Sequence, residues 1–107
     1  VGDVVNLKGP DSVIDFAEFR PLLEELLEEV KRSIKGTADK PGRGDWLDYS
    51  EAEVFEAVAG EFDEFREAYV RCDLAGEHGQ VAELLDVAVT ALKGVRRLRQ
   101  VLAGEGV

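Results

Sequence analysis

The chain has 107 residues, enough for one modest hydrophobic core, and predicts a single domain over 1–107. Asp and Glu total 23 against 13 Lys and Arg, and the resulting net charge of −10 disfavours nucleic acid and anionic membrane surfaces as partners. Cys72 is the sole cysteine, which excludes an intramolecular disulfide framework, and no run is apolar enough to span a bilayer or reads as a signal peptide, so a cytoplasmic protein is expected.

Residues 1–10, VGDVVNLKGP, contain a short β-prone run with no second strand to pair with, which predicts an extended arm over 1–11, available to pack on a partner subunit. Ser12 and Asp15 form a weak capping box and predict a short helix over 12–19. Pro21 ends it unless that proline opens a second, longer helix. In that helix Phe16, Phe19, Leu23, Leu26 and Val30 recur at threes and fours, Leu22 and Leu27 widen the stripe, and the end is expected before Gly36. The acids Glu24, Glu25, Glu28 and Glu29 read as a solvated face, with one of them in reach of an acidic cluster further on left open.

Residues 36–49, GTADKPGRGDWLDY, carry no period and predict a loop long enough to be functional. Lys40 and Arg43 are its candidate phosphate partners, Arg43 with the plainer alternative of a solvated charge. Trp46 either caps the core beneath the loop, as large aromatics tend to, or offers a face for stacking.

Ser50 and Glu53 make an S-x-x-E capping box and start a helix expected to reach about Cys72. Phe55, Val58, Phe62, Phe65 and Tyr69 form an apolar seam along it. The stripe beside that seam runs Val54, Ala57, Glu61, Glu64, Ala68, and its small apolar ends place the two glutamates within a packing surface. Gly60 sits mid-helix, where glycine costs about 1 kcal/mol against alanine, which predicts close approach by another helix or a ligand. Cys72 has no neighbouring histidine and reads as a small buried or half-buried residue. His78, in AGEHGQ, reads as a turn residue, and the absence of E-x-x-H and H-x-x-x-H argues against ferritin-like di-iron and zincin sites.

A turn near Ala75 and Gly76 leads into VAELLDVAVTAL, residues 81–92, whose only charges are Glu83 and Asp86, three apart on one helix face. A helix apolar around most of its circumference must be buried, and ionised carboxylates there are costly without a compensating charge. Folding an antiparallel hairpin about the turn brings Glu64 level with Asp86 and gathers all four acids into a band of about 10 to 15 Å. Oxygen ligands on rigid helices favour Mg²⁺, with Mn²⁺ a possible substitute, and hydrated Mg²⁺ suggests a phosphate substrate. Beyond Leu92, Lys93, Arg96, Arg97 and Arg99 either complement the helix dipole or, for Lys93 and Arg97, hold the phosphates of that substrate. Residues 103–107 are a tail. The expected fold is all-α, an antiparallel helical hairpin plus an N-terminal helix. Apolar residues on more than one stripe predict a four-helix bundle completed by oligomerisation, as a homodimer or homotetramer.

E-x-x-E on one helix and E-x-x-D on the next, carried by Glu61, Glu64, Glu83 and Asp86 in EFDEFREAY and ELLDVAV, resembles the signature of the MazG-like all-α nucleoside triphosphate pyrophosphohydrolases. RGDWLDYS, shortly before the first motif helix, also resembles segments in that superfamily, and the likeness covers about residues 36–98. Gly60 stands where many members have a further glutamate, and Val89 where some branches have asparagine. The resemblance implies Mg²⁺-dependent hydrolysis of a ribo- or deoxyribonucleoside triphosphate to the monophosphate and pyrophosphate, in a nucleotide-pool or house-cleaning role. Glu61, Glu64, Glu83 and Asp86 would be the metal ligands, Glu64 doubling as general base. Lys40, Arg43, Trp46, Lys93 and Arg97 would face the substrate. The alternative is a non-catalytic acidic helical module for oligomerisation or nucleotide binding.

Overall fold

A computed structural model of the chain describes residues 4–6, 13–38 and 49–104. The β-branched segments VVN and VID form two short strands, β1 (Val4–Asn6) and β2 (Val13–Asp15), paired antiparallel with Val5 opposite Ile14. Val4–Asn6 of the expected arm are thus half of a ribbon, and their partner comes from residues expected to open a helix. Asp15 is the cap: its carboxylate accepts from the Ala17 amide at 3.0 Å and starts a 3-10 turn, Phe16–Phe19, whereas Ser12 lies outside the described residues. That turn continues into α1 (Arg20–Ala38), with Pro21 in the first turn, where a missing N–H costs nothing. Helix α1 passes through Gly36 instead of ending before it, because one glycine weakens a helix by only about 1 kcal/mol. Residues 39–48 of the expected loop, with Lys40, Arg43 and Trp46, lie outside the described residues.

Helix α2 (Glu51–Val70) opens on the expected capping box: Ser50 Oγ accepts from the Glu53 amide at 3.2 Å, and Glu53 Oε1 accepts from the Ser50 amide at 3.0 Å. Its end is a Schellman motif, in which the Asp73 amide donates to the Ala68 carbonyl and the Cys72 amide to that of Tyr69. The left-handed position of the motif falls on Cys72, at φ 57°, and its side chain is exposed rather than buried. A turn over 71–79, pinned by Asp73 Oδ1 accepting from the Gly76 amide, returns the chain into α3 (Gln80–Leu102).

Helices α2 and α3 make the main interface, and α1 lies on α3. The core follows the mixed stripe and not the aromatic seam: Val54 and Ala68 are buried with Val89, whereas Phe55 is 74% and Tyr69 66% exposed. Small side chains explain the choice. Val54 Cγ1 would lie only 2.9 Å from a Cβ built on Gly94, an approach that aromatic rings could not share. Gly60, in contrast, has nothing within 4 Å of such a Cβ, so no close approach by the described residues accounts for it. On α1 the better-covered line is Leu26, Glu29, Val30 and Ser33, while Leu22, Leu23, Leu27 and Ile34 stay at least half exposed. The radius of gyration is 17.0 Å, against about 13 Å for a compact domain of this length. No helix among the described residues is long and apolar enough to cross a membrane.

Candidate metal centre

The contact between Val54 and Gly94 sets the register of the hairpin. Seven residues further along α2, Glu61 comes level with position 87, beside Asp86 and one turn from Glu83. One oxygen from each of Glu61, Glu83 and Asp86 falls within 4.8 Å of the others. Glu61, rather than Glu64, therefore meets the α3 pair in this cluster. The alanine and valine that flank the glutamates in the stripe leave room for the carboxylates between the two backbones.

Burial makes two of these acids unusual, Glu61 half-buried and Glu83 buried, while Asp86 stands exposed beside them. Glu83 is 5% exposed, and its Oε2, like Oε2 of Glu61, is buried without a hydrogen-bond donor among the described residues. Loss of water pushes the Glu61 carboxyl up to about 7, helped by the charge of Glu64 and then by those of Asp86 and Glu83. Glu83 is also raised, first by burial and next by Glu64 and Asp86, against a lowering from His78. Asp86 is raised by burial, then by Glu29 and Glu64. Glu64 is exposed, yet its charge acts on all three. It belongs to the cluster electrostatically while remaining open to solvent at its rim.

An open cleft of about 350 Å³ at the junction of the three helices is walled by Glu61, Asp86, Val89 and Thr90 on the hairpin and by Glu29, Arg32 and Ser33 on α1. Glu29 forms an ion pair with Arg32 one turn later. Of the cations proposed to hold phosphate, Lys93 is buried and donates to Ser33 Oγ at 2.7 Å, tying α3 to α1. Burial lowers its ammonium pKa, and the charge of Glu61 works the other way. Arg97 is also buried, and its Nε donates to the Tyr49 carbonyl at 2.6 Å, which fixes the entry to α2. It lies eleven residues past Asp86, about 16 Å along the axis.

The approach of His78 to Glu83 escaped the sequence patterns, and which acid of α1 comes near the site was left open by them. His78 lies in the turn as expected, and its Nδ1 also comes within 3.4 Å of Glu83 Oε1. With Gly79 as N-cap, these are the N′ and N4 positions, the same pair that a hydrophobic staple joins. Glu29 is the acid of α1 that lines the same cleft as Glu61 and Asp86. Its spacing of three from Leu26 and four from Ser33 puts it on the covered line rather than among the solvated glutamates.

No protein-family model, curated protein or solved structure matches this chain.

The donor set suits a hard divalent cation: all oxygen, anionic, held on two helices, with two buried oxygens lacking donors. Charges crowded in this way repel, and a cation relieves the repulsion that protonation otherwise relieves.

Proposed function

We propose that the protein is a Mg²⁺-dependent nucleoside triphosphate pyrophosphohydrolase, working as a homodimer or homotetramer on the cellular nucleotide pool, with Mn²⁺ as a possible substitute for Mg²⁺. The observation that carries this reading is the convergence of Glu61, Glu83 and Asp86 within 4.8 Å, with two of their oxygens buried and undonated. The E-x-x-E and E-x-x-D spacing on paired helices, which resembles the MazG-like pattern, adds the reaction class. Glu61, Glu83 and Asp86 hold the cation, with Glu64 beside them. Mg²⁺ bound there would neutralise phosphate charge and, as a Lewis acid on a phosphoryl oxygen, make the phosphorus more open to attack.

Glu64, exposed at the rim, takes the proton from the attacking water. The water oxygen bonds to the α-phosphorus, the bond to the bridging oxygen breaks, and pyrophosphate leaves with that oxygen. The buried ends of the stripe, Val54 and Ala68, keep the glutamates fixed on the backbone so that binding need not order them.

A screen of ribo- and deoxyribonucleoside triphosphates for pyrophosphate release tests the assignment. At least one should be cleaved with Mg²⁺ and none after chelation. The extent of exposed apolar surface, Leu22, Leu23 and Leu27 among it, favours as second reading a non-catalytic helical module for oligomerisation or nucleotide binding. Thermal melting separates the two: Mg²⁺ at millimolar concentration raises the melting temperature on the first reading and leaves it unchanged on the second.

A further inference from the structure

We propose that Glu29 of α1 is a fourth carboxylate of the cation site, and that its ion pair with Arg32 is a resting contact which opens when the cation binds, freeing Arg32 to hold the anionic phosphate. This rests on the cation site proposed above and extends it from the hairpin to a third helix.

The placement comes first. Glu29 and Arg32 share the cleft wall that faces Glu61 and Asp86. The Glu29 side chain is 29% exposed, whereas that of Glu28, one residue earlier and paired outward with Lys31, is 57% exposed. Across the cluster Glu83 is 5% exposed, with Oε1 3.4 Å from His78 Nδ1 and Oε2 buried without a donor among the described residues, which points to a cation at this place. Helix α1 is held in register one turn beyond Glu29, where Ser33 accepts from Lys93.

The exchange follows from charge and reach. A divalent ion attracts a carboxylate more strongly than one guanidinium does, and Arg32 is 68% exposed, so its release uncovers little buried surface. Once free, its planar fork suits two phosphate oxygens at once. Cation and anion would then bind in sequence, with α1 sensing the first and receiving the second.

Calorimetric titration with Mn²⁺ alone, followed by pyrophosphate in the presence of Mg²⁺, tests this on the full chain. Glu29→Gln should weaken Mn²⁺ binding by about tenfold or more, a typical loss for a group that serves a metal site. Glu28→Gln should bind as the wild type does. Arg32→Gln should keep or strengthen Mn²⁺ binding while weakening pyrophosphate by about tenfold. Glu29→Asp keeps the charge and should recover part of the loss, which separates ligation from packing. Mn²⁺ binding by Glu29→Gln within about twofold of wild type, or an equal loss in Glu28→Gln, overturns the proposal while leaving the hairpin site standing. Absence of Mn²⁺ binding by the wild type overturns both.

Discussion

Glu61 and Glu83 each keep an oxygen buried and without a donor among the described residues, and that cost has a pH signature. In the folded protein Glu61 holds its proton to about 7, against 4.5 as its ordinary value. Between those values the folded state binds a proton that the unfolded chain has released. The stability this group contributes is complete below pH 4.5 and is lost as pH rises through 7. Glu83 and Asp86 are shifted the same way. Glu53 is shifted down by its bonds with Ser50, so its contribution appears only on the acid side, being lost as pH falls through its lowered value. The metal-free melting temperature should therefore fall from about pH 5 to about pH 8, and added Mg²⁺ should raise it more at the higher pH, since cation and proton compete for the same oxygens. A flat metal-free profile would show that the acids are solvated. By the same argument Glu83→Gln and Asp86→Asn should melt at or above the wild-type temperature without metal, and should lose pyrophosphate release even at saturating Mg²⁺. Near-wild-type turnover in either variant would remove the metal assignment.

The hairpin is the element that turns two acid pairs into one cluster, and its strain sits at Cys72. A left-handed residue with a Cβ costs roughly 1–2 kcal/mol, and glycine is the usual occupant of this position in a Schellman motif. Cys72→Gly should therefore stabilise the protein by on the order of 1 kcal/mol in denaturant unfolding, with the slope unchanged. Gly94→Val should act in the opposite direction, driving α3 away from Val54 and carrying Asp86 off Glu61; loss of Mg²⁺-dependent stabilisation in that variant would report the displacement. Much of this element was legible in the chain: the capping box at Ser50, the turn before Gln80, and glutamates in a stripe with small ends. What escaped was that the aromatic seam beside that stripe stays outside the core. Aromatic residues at helical spacing signal burial, but the approach allowed by Val54, Ala68 and Gly94 excludes rings, and that is a property of two helices together. The N-terminal ribbon escaped for a similar reason, because Val13–Asp15 completes a strand pair whose other half is only Val4–Asn6.

At the scale of the whole molecule, the three described helices leave apolar side chains of α1 exposed. Leu22, Leu23, Leu27 and Ile34 are each 52–62% exposed, and apolar grooves flank α1 where it leans on α3. One of them is walled by Leu26, Val81, Leu84 and Ala88. Burying those four side chains from each of two protomers offers on the order of 6–12 kcal/mol, which falls within the roughly 4–15 kcal/mol that association costs. The α1 face alone therefore leaves no firm surplus for a dimer. A stable one has to run on across α3, where Val81 is 65% and Leu84 52% exposed and Leu92 and Val95 are each 47% exposed. An interface of that extent, related by a two-fold axis, places the α1–α3 faces of two protomers against each other and completes a bundle of at least four helices. Sedimentation at micromolar concentration should accordingly give a dimer or a tetramer. Leu23→Glu combined with Leu84→Glu should give a folded monomer that melts earlier, because both charges would enter the same apolar seam. A wild-type monomer at that concentration would leave the apolar face to some other occupant. A double variant that still associates would move the interface to the aromatic face of α2, where Phe55 and Tyr69 stand outward.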